Sequence, residues 1–263
     1  MELSAKTASL DAIQSMRELY RQEMDCQIIH DSIHSRPGWT SEYLLHEGAT
    51  PVGYGSVAIA GPWKDHPTLY EFYVLTNHRN RLFDLFATLL AATAVHNIET
   101  QSNDSLLTVM LHAYAHNVAS QSIIFHDKFT TSLAPHGTSF RRATDADFPD
   151  ISADRLLAHG VVEIDGALAG KGGILFHYNP PYGDIYMEVS EPYRQRGLGS
   201  YLVQELKRVC YELGKIPAAR CNPKNIPSRQ TLQKAGFVPC GHILSGTLLA
   251  GAEDAQSGGD ASN

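Results

Sequence analysis

One order of sequence patterns occurs twice along the 263 residues of this chain. In each half a hairpin, a strand, a long helix, a strand, a short helix and a last strand follow one another. Period-two alternation marks the strands and 3.6-residue spacing marks the helices. The first half opens with a helical pattern from Leu10 to His34. SEYLLHEG, GYGSVAIAG and LYEFYVLT then read as strands and RLFDLFATLLAATAV as a long helix. SLLTVMLHA reads as the next strand, followed by a polar helix-like segment and QSIIFHDKF. In the second half SFRRATDADFPDI opens with a strand, and VVEIDGALAGKGGILFHY holds two strands around a turn at Asp165-Gly166. GDIYMEVS is a further strand, and a helix runs from about Ser200 to Leu213 with Gly214 as its C-terminal cap. IPAARCN, PSRQTLQKAG and FVPCGHILSG complete the series as strand, helix and strand. Even the residues echo, with PVGYGSVAIAG beside LAGKGGILFH.

A duplicated α/β domain with mixed sheets is the expected fold. The linker TSLAPHGTS, with Pro135 and Gly137, sets the expected boundary: residues 1–135, then 136–250, with a disordered polar tail over 251–263. Hydrophobic residues make up 43% and charged residues 19%, the balance of an ordinary soluble globular protein. The longest apolar stretch, Leu85 to Val95, is short enough to be a core helix. The start lacks a basic segment followed by an apolar one, so no signal peptide is expected. Cys26, Cys210, Cys221 and Cys240 are scattered with no CxxC, which fits free thiols in a reducing, cytoplasmic setting.

The net charge is -7. Up to Pro135 there are 8 Lys+Arg against 14 Asp+Glu, and beyond it 13 against 14. Most of the acidity therefore belongs to the first half. It argues against nucleic acid as a partner and suits a cationic one, although solubility alone explains it equally well.

The chemistry concentrates in YRQRGLGSYL, Tyr193 to Leu202. Leu198, Leu202, Leu206, Val209 and Leu213 form one helical face, so Gly197 and Gly199 fall where strand becomes helix. Unpaired first-turn amides and the helix dipole make such a place an anion site, and glycine lets a phosphate approach the backbone. Arg194 and Arg196 add positive charge. A dinucleotide fold needs a third glycine and a downstream acid, and a P-loop needs Gly-Lys-Ser/Thr; neither is present.

Arg194-x-x-Gly197-x-Gly199, between strand and helix, resembles the acyl-CoA site of the GNAT superfamily of N-acetyltransferases. NPKNIPSRQTLQKAGF is similar to a second segment of that family, with Asn225, Ser228, Gly236 and Phe237 at its marked places. The resemblance covers the second half, from Ser139 to Gly246. It implies tandem GNAT-like folds and acetyl transfer from acetyl-CoA to an amine. It further implies that the backbone from Gln195 through Arg196, Gly197, Leu198 and Gly199 to Ser200 holds the pyrophosphate. The strand around Met187, Glu188 and Val189 would pair with the pantetheine arm, and Asn225 and Ser228 would lie along it. Asn225 is equally a helix N-cap.

Alternation sets Asp184, Tyr186 and Glu188 on one face of their strand and Ile185, Met187 and Val189 on the core face. Glu188 is thus a candidate base, or else a solvated strand carboxylate. Many GNAT members carry a tyrosine acid seven residues after the motif asparagine, where this chain has Leu232. Ser228, Tyr193 or water remain as proton donors to the leaving thiolate. A non-catalytic acyl-CoA-binding or sensor module is the alternative function.

In the first half the corresponding loop reads Arg79-x-x-Leu82-x-Asp84. A leucine side chain and a carboxylate replace the two glycines, so this half is expected to be degenerate and unable to hold acyl-CoA in the usual way. Nine of the 13 histidines lie there. His30/His34 and His112/His116 have i,i+4 spacing but no evident third ligand, and no metal is expected. Cys221 reads as a buried thiol.

Overall fold

The computed structural model describes residues 1–27, 30–144, 147 and 156–249. The expected tail, from Gly251 onward, lies outside them. Two compact units emerge. One contains Met1–Asp25, Arg36–Ala119 and the chain from Leu244; the other contains Cys26–Ser35 and Ser120–Ile243. The chain thus passes between units near residues 25, 35, 119 and 243, whereas the linker suggests one passage near Pro135.

In the first unit β1 (Leu3–Ala8) leads into α1 (Leu10–Met24). Ser9 caps α1, and Asp25 ends it in the left-handed conformation. The helix predicted to reach His34 stops there, and α2 (His30–His34) is a separate short turn in the second unit. β2 (Thr40–Glu47), β3 (Thr50–Ala58) and β4 (Thr68–Val74) form an antiparallel run that begins at β1. α3 (Leu82–Ala91) follows, and β5 (Asn97–Gln101) pairs in parallel with β4.

SLLTVMLHA, predicted as a strand, is a helix: α4 (Ser105–Tyr114). Asp104 accepts from the N–H groups of Leu106 and Leu107, and Leu106, Leu107, Met110 and Leu111 are the buried side. The polar segment predicted as helix is instead part of the long β6 (Ala115–Asp127), where exposure alternates.

The second unit follows the predicted order. β7 (Thr138–Arg142), β8 (Leu156–Ile164), β9 (Ala167–Leu175) and β10 (Tyr182–Val189) form an antiparallel series. Asp165 and Gly166 both take positive φ, 50° and 79°, as a tight hairpin turn requires. Then come α5 (Leu198–Glu212), β11 (Ile216–Cys221), α6 (Ile226–Lys234) and β12 (Phe237–Leu248). Leu198, Leu202, Leu206 and Val209 of α5 meet Ile185, Ala219, Phe125 and Phe237 in its core. Burying each of the large side chains contributes about 1.5–3 kcal/mol.

The strand beside β11 is β6, in antiparallel register from Ala218↔His126 to Cys221↔Ile123. The strand beside β5 is β12, whose residues from Leu244 belong to the first unit. Each half of the sequence therefore supplies a strand to the unit built mainly from the other half.

The linker is not a free loop. Lys207 of α5 donates to the carbonyls of Phe129 and Ala235 at 2.8 and 2.7 Å, and Gln204 exchanges two hydrogen bonds with the backbone of Leu133. Among the described residues no helix is long and apolar enough to cross a membrane.

Candidate active site

The site grows from a break in strand pairing. β10 and β11 are paired over Tyr182↔Ile216, Gly183↔Pro217 and Asp184↔Ala218, and no further. Beyond that point β10 stays paired with β9 as far as Val189↔Gly170, and β11 stays paired with β6. The two strands part like a V with its vertex at Asp184 and Ala218. The edge of β10 from Ile185 to Val189 is left open on the β11 side, as a strand-like ligand arm requires.

At the wide end stands the loop into α5. Arg194 Nε donates to the Val189 carbonyl at 3.1 Å and pins the loop to the end of the strand. Gln195 and Gly197 then take φ of 63° and 80°, two left-handed residues flanking Arg196. Gly197 is the N-cap of α5 and offers no side-chain cap. The amides of Gln195 to Ser200 have no acceptor among the described residues, so they and the helix dipole stand ready for an anion. Arg194, Gln195 and Arg196 are exposed, and the Arg196 guanidinium lies 5.7 Å from the Tyr193 ring centre.

The two glycines serve different ends. Gly197 makes the turn. A side chain on Gly199 would not point at a ligand, as the motif alone suggests. Its Cβ would meet Thr231 Cγ2 at 3.2 Å and Met187 Cε at 3.5 Å, so Gly199 lets α5 pack closely on α6 and β10. Ser200 is buried and its hydroxyl donates to the Thr231 carbonyl. Leu198 and Met187 pack in the core. A basic residue absent from the motif also belongs here. Lys234, in the last turn of α6, brings its Nζ within 3.6 Å of where a Gly197 Cβ would lie.

Asn225 caps α6 by accepting from the Ser228 N–H at 3.1 Å. The buried Cys221 thiol has its pKa raised by burial, against the opposing influence of Arg229 and Ser228. A protonated, buried thiol is no nucleophile. Leu232 is 4% exposed in the core, so its position supplies packing alone.

Glu188 is exposed near the end of β10, directly opposite Lys171 of β9. Tyr186, on the same face, has its pKa raised by burial and then by the charge of Glu188, and its hydroxyl is buried without a hydrogen-bond partner among the described residues. At the vertex, Asp184 is buried, with Oδ2 3.4 Å from His177 Nδ1 and 3.8 Å from Arg220 Nη2. The Arg220 guanidinium sits 5.7 Å from the ring centre of Tyr178, whose phenol is held protonated by burial and by the Asp184 charge.

The first unit carries the same framework without the cradle. Arg79 Nε donates to the Val74 carbonyl at 2.9 Å, the counterpart of Arg194 on Val189. Its guanidinium is then occupied by Glu23, and the loop runs on as a 3-10 turn over Thr76–Arg81 with no left-handed residue. β4 and β5 also pair only over Thr68↔Asn97 and Leu69↔Ile98. Just beyond, Glu71 is fully buried in a bidentate pair with Arg17, at 3.0 and 3.1 Å, and accepts from Tyr54. A buried ion pair takes up the polar capacity of this strand.

Of the histidine pairs, His112 lies in the last turn of α4 while His116 lies in β6, so they do not share a helix face. Among the described residues no three His, Cys, Asp or Glu groups converge as a metal site would need.

Residues 124–237 match the model of the Acetyltransferase (GNAT) family. No curated protein matches the chain. Among solved structures, an acetyltransferase from the GNAT family of Colwellia psychrerythraea is similar, with a TM-score of 0.71 at 13% identity, covering 94% of this chain and 100% of that one. A GCN5-related N-acetyltransferase from Sphaerobacter thermophilus gives 0.59 at 12% identity over 93% of this chain and 95% of its own. A tandem GNAT protein from the clavulanic acid biosynthesis pathway gives 0.58 at 16% identity, over 95% of this chain and 99% of that one. Identities this low speak for the fold.

Proposed function

We propose that the protein transfers an acetyl group from acetyl-CoA to a primary amine, a reading supported by the match of residues 124–237 to the GNAT acetyltransferase family model. The observation that carries this reading is the cradle at Gln195–Ser200 placed at the mouth of the β10/β11 opening. Phosphates fit the unpaired amides, with Arg194, Arg196 and Lys234 as the cations around them. The arm of the thioester fits the open edge of β10 from Val189 inward, where backbone amides polarise its carbonyl. Asn225 and Ser228 are assigned to the arm's other side.

The acceptor is proposed to be cationic, because 14 Asp+Glu stand against 8 Lys+Arg up to Pro135. The second unit alone is proposed to turn over, since the loop after β4 lacks the left-handed turns. Calorimetry with acetyl-CoA, followed by thiol release across amines, polyamines, aminoglycosides, amino acids and peptides, tests the proposal. Tight binding with no release for any acceptor would favour an acyl-CoA sensor, the reading suggested by Leu232 at the tyrosine place. Absence of binding would overturn both.

A further inference from the structure

We infer that His177, oriented by Asp184, takes the proton from the acceptor amine during acetyl transfer; the inference rests on the acetyl-transfer reading above. An arm that leaves the cradle and follows the edge of β10 passes Glu188 first and reaches Asp184 last. Five residue steps separate Val189 from Asp184, roughly 17 Å at strand rise. The thioester is at the far end of that arm from the phosphates. The reacting carbonyl therefore lies toward the vertex and away from Glu188, which stands beside the cradle and opposite Lys171.

The vertex holds a histidine and a carboxylate in the arrangement of a general base and its orienting partner. Among the described residues His177 Nδ1 is buried without a formed hydrogen bond and faces Asp184 Oδ2 at 3.4 Å. That distance exceeds a formed hydrogen bond, and such contacts tighten when substrate binds. The His177 side chain is 26% exposed while that of Asp184 is 6% exposed, so with Nδ1 buried the exposed part of the side chain lies elsewhere on it. A carboxylate at Nδ1 selects the tautomer with the proton there and leaves the Nε2 lone pair to accept another.

The surroundings fix the pair. Asn179, two residues on and buried, donates to the Cys26 carbonyl at 3.1 Å and accepts from the Asp31 N–H at 3.3 Å. Tyr178 is buried under Arg220. Among the described residues the charged group against His177 is Asp184 from β10, which Arg220 from β11 also approaches at 3.8 Å, and the Tyr178 phenol is its chain neighbour. The orphaned Tyr186 hydroxyl, on the Asp184 face, gives a polar acceptor something to bond.

The step balances without a further reagent. The amine lone pair attacks the thioester carbonyl carbon, a C–N bond forms, and the surplus N–H proton passes to His177 Nε2. The C–S bond breaks, and the thiolate leaves with a proton from the imidazolium or from water. The products are the acetylated amine and coenzyme A, and His177 is restored. Asp184 is a positioning residue.

Nuclear magnetic resonance of the intact protein tests this, with the His177 ring signals identified by their loss in His177→Gln. About two pH units above the ordinary histidine value, the ring nitrogens should report a proton on Nδ1 and none on Nε2. Acetyl-CoA should move these signals, while adenosine 3′,5′-bisphosphate, which fills the cradle alone, should not. His177→Gln should bind acetyl-CoA as wild type does, yet turn over an accepted amine about 10²–10⁴-fold more slowly, with Glu188→Gln losing less. A proton on Nε2, ring signals unmoved by bound acetyl-CoA, or a larger loss in Glu188→Gln than in His177→Gln overturns the inference and leaves acetyl transfer standing. Failure of the wild type to bind acetyl-CoA overturns the function on which the inference rests.

Discussion

Gly197→Ala is the sharpest test of the cradle, because α5 carries its own control. Gly197 sits at the start of the helix with φ 80°, and Gly214 lies just past its end with φ 68°. Neither position is crowded: a Cβ at Gly197 would meet Lys234 Nζ at 3.6 Å, an ordinary contact, and one at Gly214 would meet nothing within 4 Å. Both substitutions therefore cost the same thing, the left-handed backbone of an L-residue, about 1–2 kcal/mol. At about 2–4 °C per kcal/mol for a protein near this size, each variant should melt roughly 2–8 °C below wild type. Affinity should separate them. If the alanine introduced at the N-cap relaxes out of the left-handed region, the amides on either side no longer converge. Losing one hydrogen bond to a charged phosphate costs about 1.5–3 kcal/mol. At about 1.4 kcal/mol per tenfold, Gly197→Ala should bind acetyl-CoA roughly ten- to hundredfold more weakly, with Gly214→Ala indistinguishable from wild type. Scanning calorimetry and binding calorimetry on the three proteins give both numbers. Equal affinities for the two variants at equal melting losses would show that the turn at Gly197 does not build the anion site.

Three further outcomes follow from the first unit and the chain's path. Arg17→Met leaves the Glu71 carboxylate buried without its guanidinium, and should cost about 3–5 kcal/mol in urea unfolding; pairing it with Glu71→Leu should recover most of that loss. Asp104 is buried and its pKa is raised to about 6, chiefly by burial, from an ordinary 3.8. The folded protein holds this proton more tightly than the unfolded chain. Stability should therefore fall by about 3 kcal/mol between roughly pH 4 and 6 relative to Asp104→Asn, and stay level above; parallel denaturation curves that never diverge would refute the assignment. A chain begun at Ser139 lacks Ser120–Asp127, including the fully buried Phe125 and the pairing partner of β11, and should fail to give a cooperative melt.

Much of the second half is legible in the sequence because its local signals agree. Asp165-Gly166 is a hairpin turn, α5 has a continuous apolar face, and Gly214 closes it in the left-handed conformation. SLLTVMLHA misleads because a short apolar run fits strand or helix equally, and the Asp104 cap just before it is the deciding signal. β6 is obscure for the opposite reason: its polar residues hide a two-residue period of burial that only pairing reveals. β1 and β5 are six and five residues long, with too little periodicity to stand out. At the site, the cradle is legible because Gly197 and Gly199 fall where strand becomes helix, although Gln195, which is also left-handed, gives no such signal. The direction of the Gly199 Cβ is not, since it depends on how α6 packs. Lys234 and His177 carry no motif. They reach the site through the placement of α6 and of the stretch before β10, which no local spacing encodes.

The exchange of β6 and β12 has a consequence for inheritance. After a tandem duplication, one copy is ordinarily free to decay, because the other performs the task unaided. Here the copy with the cradle takes Ser120–Asp127 from the other copy's stretch of gene and gives up its own residues from Leu244 onward. The copy with Leu82 and Asp84 in place of the two glycines lacks the cradle, yet deleting it would take Ser120–Asp127 from its twin. Recombination that separates the halves between Asp127 and Thr138 yields two genes, neither of which encodes a whole sheet. A change in the first half is therefore expected to be felt through the architecture of the second, whatever ligand the first half does or does not bind.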